Sequence, residues 1–273
     1  MTTAQQDAPS ATQESHRRAI LKVLPYMRER LTEDIDLGQL AEVAIMSPYH
    51  FLRTFREHTG VSPARFLGAL RIEAAKRLLV ATDDSILDVC FRVGYSSLGT
   101  FSSRFTQMVG LPPGRFRQLG QSFYPDLATL LQAASSCALP AGAPVLAASV
   151  ERQNPDQVVF AGLFSTPIPQ GRPLSCAVLL DRAQREFRVA APNGGTAFLF
   201  AVALDADAPP LDILIGGSAV RAVAGCGPLS FDSGPPRAQC LRFHPPDPFD
   251  PPMLLALPLL LYEKAAEAAG GDD

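Results

Sequence analysis

The chain has 273 residues, 47% of them hydrophobic, with no tryptophan and a net charge of −3. That length supports two domains of ordinary size, and no apolar run of 18 or more residues offers a membrane span. The charge is unevenly divided: residues 16–119 carry 15 Lys+Arg against 10 Asp+Glu, whereas residues 120–273 carry 9 against 15. A basic region beside an acidic one implies two tasks, the basic one facing a polyanion.

Residues 1–15 are polar and lack the apolar core of a secretory signal, so they read as a disordered tail. From residue 16 the pattern is helical. "HRRAILKVLPYMRERL" sets Ile20, Leu21, Leu24, Met27 and Leu31 on one stripe, with Pro25 placed to kink it. "DLGQLAEVAIM" opens with Asp36 and Gln39 in capping-box spacing. "SPYHFLRTFREHTG" starts with Ser47 as cap and Pro48 in the first helical position, and stops at Gly60. "SPARFLGALRIEAAKRLLV" repeats the Ser-Pro start and is long enough to be a connecting helix. "SILDVCFRVGY" carries a second capping box at Ser85 and Asp88. "SSLGTFSSRFTQMVG" starts at Ser96 or Ser97 and stops at Gly110, and "PPGRFRQL" closes the series.

One phrase occurs twice. "FLRTFREHTGVSPARF" (51–66) and "FSSRFTQMVGLPPGRF" (101–116) share six of sixteen positions: Phe51/Phe101, Phe55/Phe105, Gly60/Gly110, Pro63/Pro113, Arg65/Arg115 and Phe66/Phe116. Two copies are too few for a solenoid. Each copy is the second helix of a short helix-turn-helix pair plus its exit, an arrangement that can present that helix to the DNA major groove.

After residue 120 the texture changes. "DLATLLQAASSCAL" (126–139) reads as an amphipathic helix and "PAGAP" (140–144) as a linker. Strand-like runs then alternate with Pro/Gly turns: "VVFAGLFS", "SCAVLL", "REFRVAA", "TAFLFAVAL", "DILIGG", "VRAVAG" and "AQCLRF". Their short, regular spacing favours a β-sandwich or barrel. A helix is expected at 262–269, "YEKAAEAA". The expected division is an all-α double helix-turn-helix domain over 16–119, a helical linker over 120–144 and a mainly-β sandwich domain over 145–273.

The five cysteines (Cys90, Cys137, Cys176, Cys226, Cys240) are scattered, odd in number and without CxxC. This argues against a disulfide framework and for a reducing, cytoplasmic setting. Cys240 and His244 stand in C-x3-H spacing. Without a second ligand pair, a buried strand thiol and a surface imidazole is the better reading than a metal site. No P-loop, GxGxxG or Ser/His/Asp constellation is present, and four histidines leave few players for acid–base chemistry. No enzymatic activity and no cofactor are expected.

The helical region resembles the DNA-binding domain of AraC/XylS-type transcription regulators. The residues that carry the likeness are Leu40-Ala41, Ser47, the phrase 51–66, Arg71, Ala75 and "RLL" (77–79). In the second half they are "ILDVCFRVGYSS", Phe101, Phe105 and "GLPPGRF". The resemblance implies two helix-turn-helix units joined by the long helix, with two recognition helices entering successive major-groove segments about 34 Å apart. By position in the family motif, Tyr49, Leu52 and Arg53 look like the base-facing set of the first helix, with Ser47 and His50 beside them. Arg53 suits a bidentate contact to guanine, Arg56 and Arg65 suit the sugar–phosphate backbone, and Arg115 is a further DNA-binding candidate.

The second recognition helix departs from the family. Relatives usually carry an arginine two residues after the first Phe and a Lys or Arg directly after the second. Here Ser103 and Thr106 hold those places, and the arginine sits one step along at Arg104, rotated about 100° around the helix. Ser97, Thr100, Ser103 and Arg104 are the candidate contacts, and phosphate contact is expected to dominate.

Two C-terminal stretches, "GLFSTPIPQGRPLSCAVLL" and "NGGTAFLFAVALD", resemble transthyretin-type or carboxypeptidase-regulatory-type β-sandwiches. A GyrI-like barrel is another precedent after such a domain, but its acidic and aromatic pocket residues are not evident. The implied partners are double-stranded DNA and, through the C-terminal domain, a small-molecule effector. The alternative is a ligand-free module for homodimerisation or contact with RNA polymerase. AraC-type domains are also fused to DNA-repair alkyl acceptors, but the Pro-Cys-His-Arg motif of those enzymes is missing.

Overall fold

The structure, a computed structural model, describes residues 11–122, 139, 142–151, 157–181, 183–205, 208–215 and 219–254. Seven helices come first: α1 (Ala11–Glu29), α2 (Leu37–Val43), α3 (Pro48–Thr59), α4 (Pro63–Ala81), α5 (Ile86–Arg92), α6 (Leu98–Val109) and α7 (Pro113–Ser122). The caps follow from side chains that satisfy the free N–H groups of a helix start. Asp36 and Gln39 form a capping box, as do Ser85 and Asp88, while Ser47, Ser62 and Ser97 cap α3, α4 and α6. Gly60 and Gly110 end α3 and α6 in the left-handed region (φ 73° and 92°), where a Cβ is penalised.

Two expectations for this region need correction. Helix α1 begins at Ala11, inside the segment read as a polar tail, and Arg18 and Glu14 form an i,i+4 ion pair there. Its first turns face solvent, so they show no apolar stripe to reveal them. Helix α7 runs to Ser122, three residues past the expected domain end.

The helical core is built on the doubled phenylalanines. Phe51, Phe55 and Phe66 are fully buried and pack in series, with ring centroids 5.5 and 5.6 Å apart. Phe101, Phe105 and Phe116 repeat the arrangement at 5.7 and 5.5 Å. The repeated letters are the packing of the two units.

The C-terminal region contains β1 (Val145–Glu151), β2 (Gln157–Phe164), β3 (Ser175–Leu179), β4 (Glu186–Ala190), β5 (Thr196–Asp205), a short helix α8 (Pro210–Ile215), β6 (Val220–Ser230) and β7 (Gln239–Arg242). The strands form a three-stranded sheet, β4-β1-β7, and a four-stranded sheet, β3-β2-β5-β6. Leu146, Val150, Val189 and Leu241 of the first sheet share one core with Val159, Leu163, Leu199 and Ala224 of the second. This is sandwich packing, as expected from the strand spacing.

"DILIGG", expected as a strand, is instead helical over its first four residues. Pro210 opens α8, since its fixed φ suits a helix start, and Leu214 is buried in the helical-region core. Strand β1 went unforeseen, because "VLAASVE" is too rich in alanine and serine to look like one. The helices expected at 126–139 and 262–269, and most of the "PAGAP" linker, lie outside the described residues.

Strand β2, central in the four-stranded sheet, is buried along nearly its whole length. Val158, Phe160, Phe164, Val202 and Leu204 form a second apolar layer away from the sandwich core. That layer faces the helices. Ile168, Phe249 and Leu254, contributed from beyond the linker, are buried in the helical core cluster.

Candidate nucleic-acid interface

The residues expected to read DNA sit on the exposed parts of α3 and α6. Because Phe51 and Phe55 point inward, Tyr49 and Arg53 are turned out: Tyr49 is 81% exposed, and the Arg53 side chain 62%. Arg53 Nε lies 3.7 Å from Glu57 Oε1, an i,i+4 pair at the surface. Such exposed pairs are weak, so the guanidinium is free to be recruited. Leu52 is half-buried, and Arg56 and Arg65 are exposed.

At the start of α3, Ser47 and His50 are engaged within the protein. Ser47 Oγ accepts the N–H of His50 as the cap of α3. The His50 ring packs edge-on against His16 of α1, with the two Nε2 atoms 3.2 Å apart.

On α6, Ser97, Thr100, Ser103 and Arg104 are all exposed. Ser97 Oγ donates to Thr100 Oγ1 at 2.8 Å and accepts the N–H of Thr100, so this pair fastens the helix start. Thr106, which stands where relatives carry a base, returns its hydroxyl to the carbonyl of Ser102 at 2.8 Å. Arg115 is exposed on α7 and donates to Gln118 Oε1 at 3.0 Å.

Arg104 aligns with Thr54 in the repeat, and the two positions differ in burial: Thr54 is fully buried, whereas Arg104 is exposed. The long cation therefore stands on the flank of α6 rather than at the place of Ser103.

Residues outside the predicted set orient the two helices. Arg71 of α4 donates Nε to the carbonyl of Leu31 and Nη2 to that of Glu33, both at 2.8 Å, and its guanidinium lies 5.9 Å from the Tyr95 ring centre. Tyr95 in turn packs on Phe101 at 5.4 Å. Arg71 thus ties the α1–α2 loop to the turn before α6. Arg117 donates Nε to the carbonyl of Leu79, near the C-terminal end of α4. Arg71 is among the residues carrying the family resemblance, but nothing in its spacing reveals this clamp.

At the opposite end of α3 the β region docks. Arg17 Nη2 reaches Asp247 Oδ2 at 2.9 Å, and its guanidinium lies 4.5 Å over the Phe249 ring. The His58 ring lies 5.4 Å from Phe249. Burial, then the positive charge of Arg17 and the neighbouring His16, push the His58 imidazole below its ordinary value. Burial alone raises Asp247, but the N–H of Phe249 and the Arg17 guanidinium outweigh it and hold the carboxyl low.

Cys240 is exposed rather than buried as expected, because it lies on β7 with its Sγ 3.7 Å from Glu151 Oε1, and His244 hydrogen-bonds through Nδ1 to the carbonyl of Pro245. Among the described residues no group of three or more His, Cys, Asp or Glu side chains is arranged to hold a metal ion. No helix among them is long and apolar enough to cross a membrane.

The geometry defines a paired helix-turn-helix module with two outward helix faces on one scaffold. The family model described as a helix-turn-helix domain matches residues 40–119, and this part of the chain is an AraC-type helix-turn-helix domain. Among curated proteins, the chain is similar to the bifunctional transcriptional activator/DNA repair enzyme AdaA of Bacillus subtilis. The two are 32% identical over 99 residues, 36% of this chain and 47% of that protein. It is also similar to the HTH-type transcriptional regulator Rv1931c of Mycobacterium tuberculosis, 37% identical over 82 residues, 30% of this chain and 32% of that one. Among solved structures it is similar to the DNA-binding domain of AdpA, a global transcriptional factor, in complex with a target DNA. That match has 32% identity and a TM-score of 0.37, covering 38% of this chain and 94% of that one. The chain thus spans half or less of the length of these curated relatives.

Proposed function

We propose that the protein is a sequence-specific DNA-binding transcription regulator with no enzymatic activity. In this reading α3 and α6 enter successive major-groove segments of one duplex. Tyr49, Leu52 and Arg53 read bases, while Arg56, Arg65, Arg104 and Arg115 contact phosphate. The observation that carries it is the outward face of α3, where Tyr49 and Arg53 are exposed beside buried Phe51 and Phe55. Residues 16–122 are the DNA-binding part, and the β region from Val145 onward senses a small molecule. A cleft on the outer face of the four-stranded sheet supports sensing over a ligand-free dimerisation or polymerase-contact role.

The test is a band-shift titration of the full chain across salt concentrations, using a duplex selected from a random pool. A log–log salt slope and at least a thousandfold preference over random duplex are expected. Equal affinity for both duplexes overturns sequence-specific binding.

A further inference from the structure

A cleft of about 470 Å3 lies between the outer face of the four-stranded sheet and the C-terminal end of α3, where Thr59 and Gly60 form part of its wall. That size lies in the range of small-molecule sites. Its floor is built by a cross-strand row. Gly162 of β2 pairs with Phe200 of β5, which pairs with Gly225 of β6. A Cβ on Gly225 would meet the Phe200 ring at 2.8 Å, and one on Gly162 would meet the Phe164 ring at 2.8 Å. The missing side chains let both rings come close to the strand backbones. Phe164 and Phe200 then meet edge-on, 5.9 Å between centroids. Glycine inside a strand marks such close approaches. The floor is therefore aromatic and recessed, and the Asp250 carboxylate lines the cleft together with His244, whose Nδ1 lies 3.9 Å from Asp250 Oδ2.

The walls have two sides. In the β2–β3 loop, Pro167 and Pro169 line the cleft, while Ile168 between them is fully buried in the helical core. The same loop donates the N–H of Gly171 to the carbonyl of Met108, at the C-terminal end of α6. In the segment after β7, Asp250 and Met253 line the cleft, while Phe249 and Leu254 are buried among the helices. Met253 also accepts a hydrogen bond from Lys76 Nζ of α4 at 3.2 Å. Neighbouring residues thus face the cleft and the helices in turn.

We propose that this cleft is the effector site, that it takes a compact, ring-bearing, largely apolar molecule with one donor group for Asp250, and that occupancy acts on the C-terminal ends of both recognition helices. The ring class follows from the recessed aromatic floor, where offset and edge-on ring contacts are favoured. The single donor follows from the carboxylate, which rewards a hydrogen bond and penalises an anion. The coupling follows from the shared walls: a ligand that shifts Pro167–Pro169 or Asp250–Met253 also shifts contacts to α6, α3 and α4. This rests on the regulator reading only for its biological consequence.

The test uses the full chain and N-phenyl-1-naphthylamine, an uncharged two-ring fluorophore with one N–H. Saturable fluorescence enhancement at one probe per chain is expected. Val202→Trp, which fills the cleft from the floor, should weaken it at least tenfold while circular dichroism and thermal unfolding stay close to the parent. Phe200→Ala, which removes floor rather than blocking it, should also weaken it. In hydrogen exchange, the probe should slow amides at 57–61 and 107–110. Unsaturable binding, or saturable binding unchanged in both variants, overturns the site. Binding at the cleft with unchanged exchange at those helix ends overturns the coupling. None of these readouts uses DNA, so failure of the band shift would sink the regulator reading separately.

Discussion

Arg71 and Leu31 are forty residues apart and joined by one short bond, Nε to the backbone carbonyl at 2.8 Å. With the second bond to Glu33 and the ring of Tyr95 nearby, one side chain braces the entry to both helix-turn-helix units. Charged donors to carbonyls are among the stronger protein hydrogen bonds. Arg71→Met keeps the stem and removes both bonds. It should cost about 1.5–3 kcal/mol in urea unfolding. It should also lower DNA affinity, since the two recognition helices lose their common brace. Unchanged stability would show that the bonds are replaced by water at no cost.

The two phenylalanine series make a symmetric prediction. Phe55 and Phe105 are both fully buried, each between two other rings. Truncation to alanine should cost about 3–5 kcal/mol at either site, from lost transfer energy plus the cavity left behind. Thermal unfolding of the two variants checks this. A loss under 1 kcal/mol at one site only would mean that this half of the repeat collapses around the gap.

These rings explain why the helical half was legible in the letters. Phe51/Phe101, Gly60/Gly110 and Pro63/Pro113 are local requirements: an inward ring, a left-handed helix end, a helix start. Local requirements leave fixed spacings, and the caps at Asp36, Ser47, Ser85 and Ser97 could be read for the same reason. What was not legible depends on distant partners. Arg71 finds Leu31, His50 finds His16, and Leu214 turns "DILI" into a helix by burying itself among helices. The cleft had one trace in the sequence, the glycines at 162 and 225 inside strands. Only the register brings them to either side of Phe200.

Lys76 yields a prediction about pH. Its side chain is fully buried in α4 with its ammonium on the Met253 carbonyl. Burial brings its pKa down from 10.5 to about 7, with Glu73 opposing and Arg77 adding to the fall. The folded protein therefore binds a proton less readily than the unfolded chain. Stability should rise with pH between about 7 and 10.5 and be flat just below, as far as this group is concerned. Lys76→Met removes the buried charge. It should stabilise the protein at pH 6–7 by an amount on the order of kcal/mol and flatten the rise above pH 7. Urea midpoints at several pH values measure both effects. A destabilised Lys76→Met at pH 6 would mean that the bond to Met253 outweighs the cost of burial.

The difference between the two recognition helices gives the last prediction. Arg53 stands on the outward face of α3, whereas its counterpart on α6 is Ser103, and the nearest long cation, Arg104, lies on the flank. A guanidinium that pairs with one guanine specifies; one that meets a phosphate only adds affinity. Arg53→Ala should therefore cost about 1–3 kcal/mol at one base position of the selected duplex and relax preference there. Arg65→Ala and Arg104→Ala should weaken all sequences alike and reduce the salt slope by about one ion each. Ser103→Ala should change the base preference little, because a short hydroxyl at that place reaches less of the groove. Selection of bound duplexes by each variant, followed by salt titration, separates the two kinds of loss. If Arg104→Ala relaxes a base position and Arg53→Ala does not, sequence reading belongs to α6, and the face that carries Arg104 is the one that meets the bases.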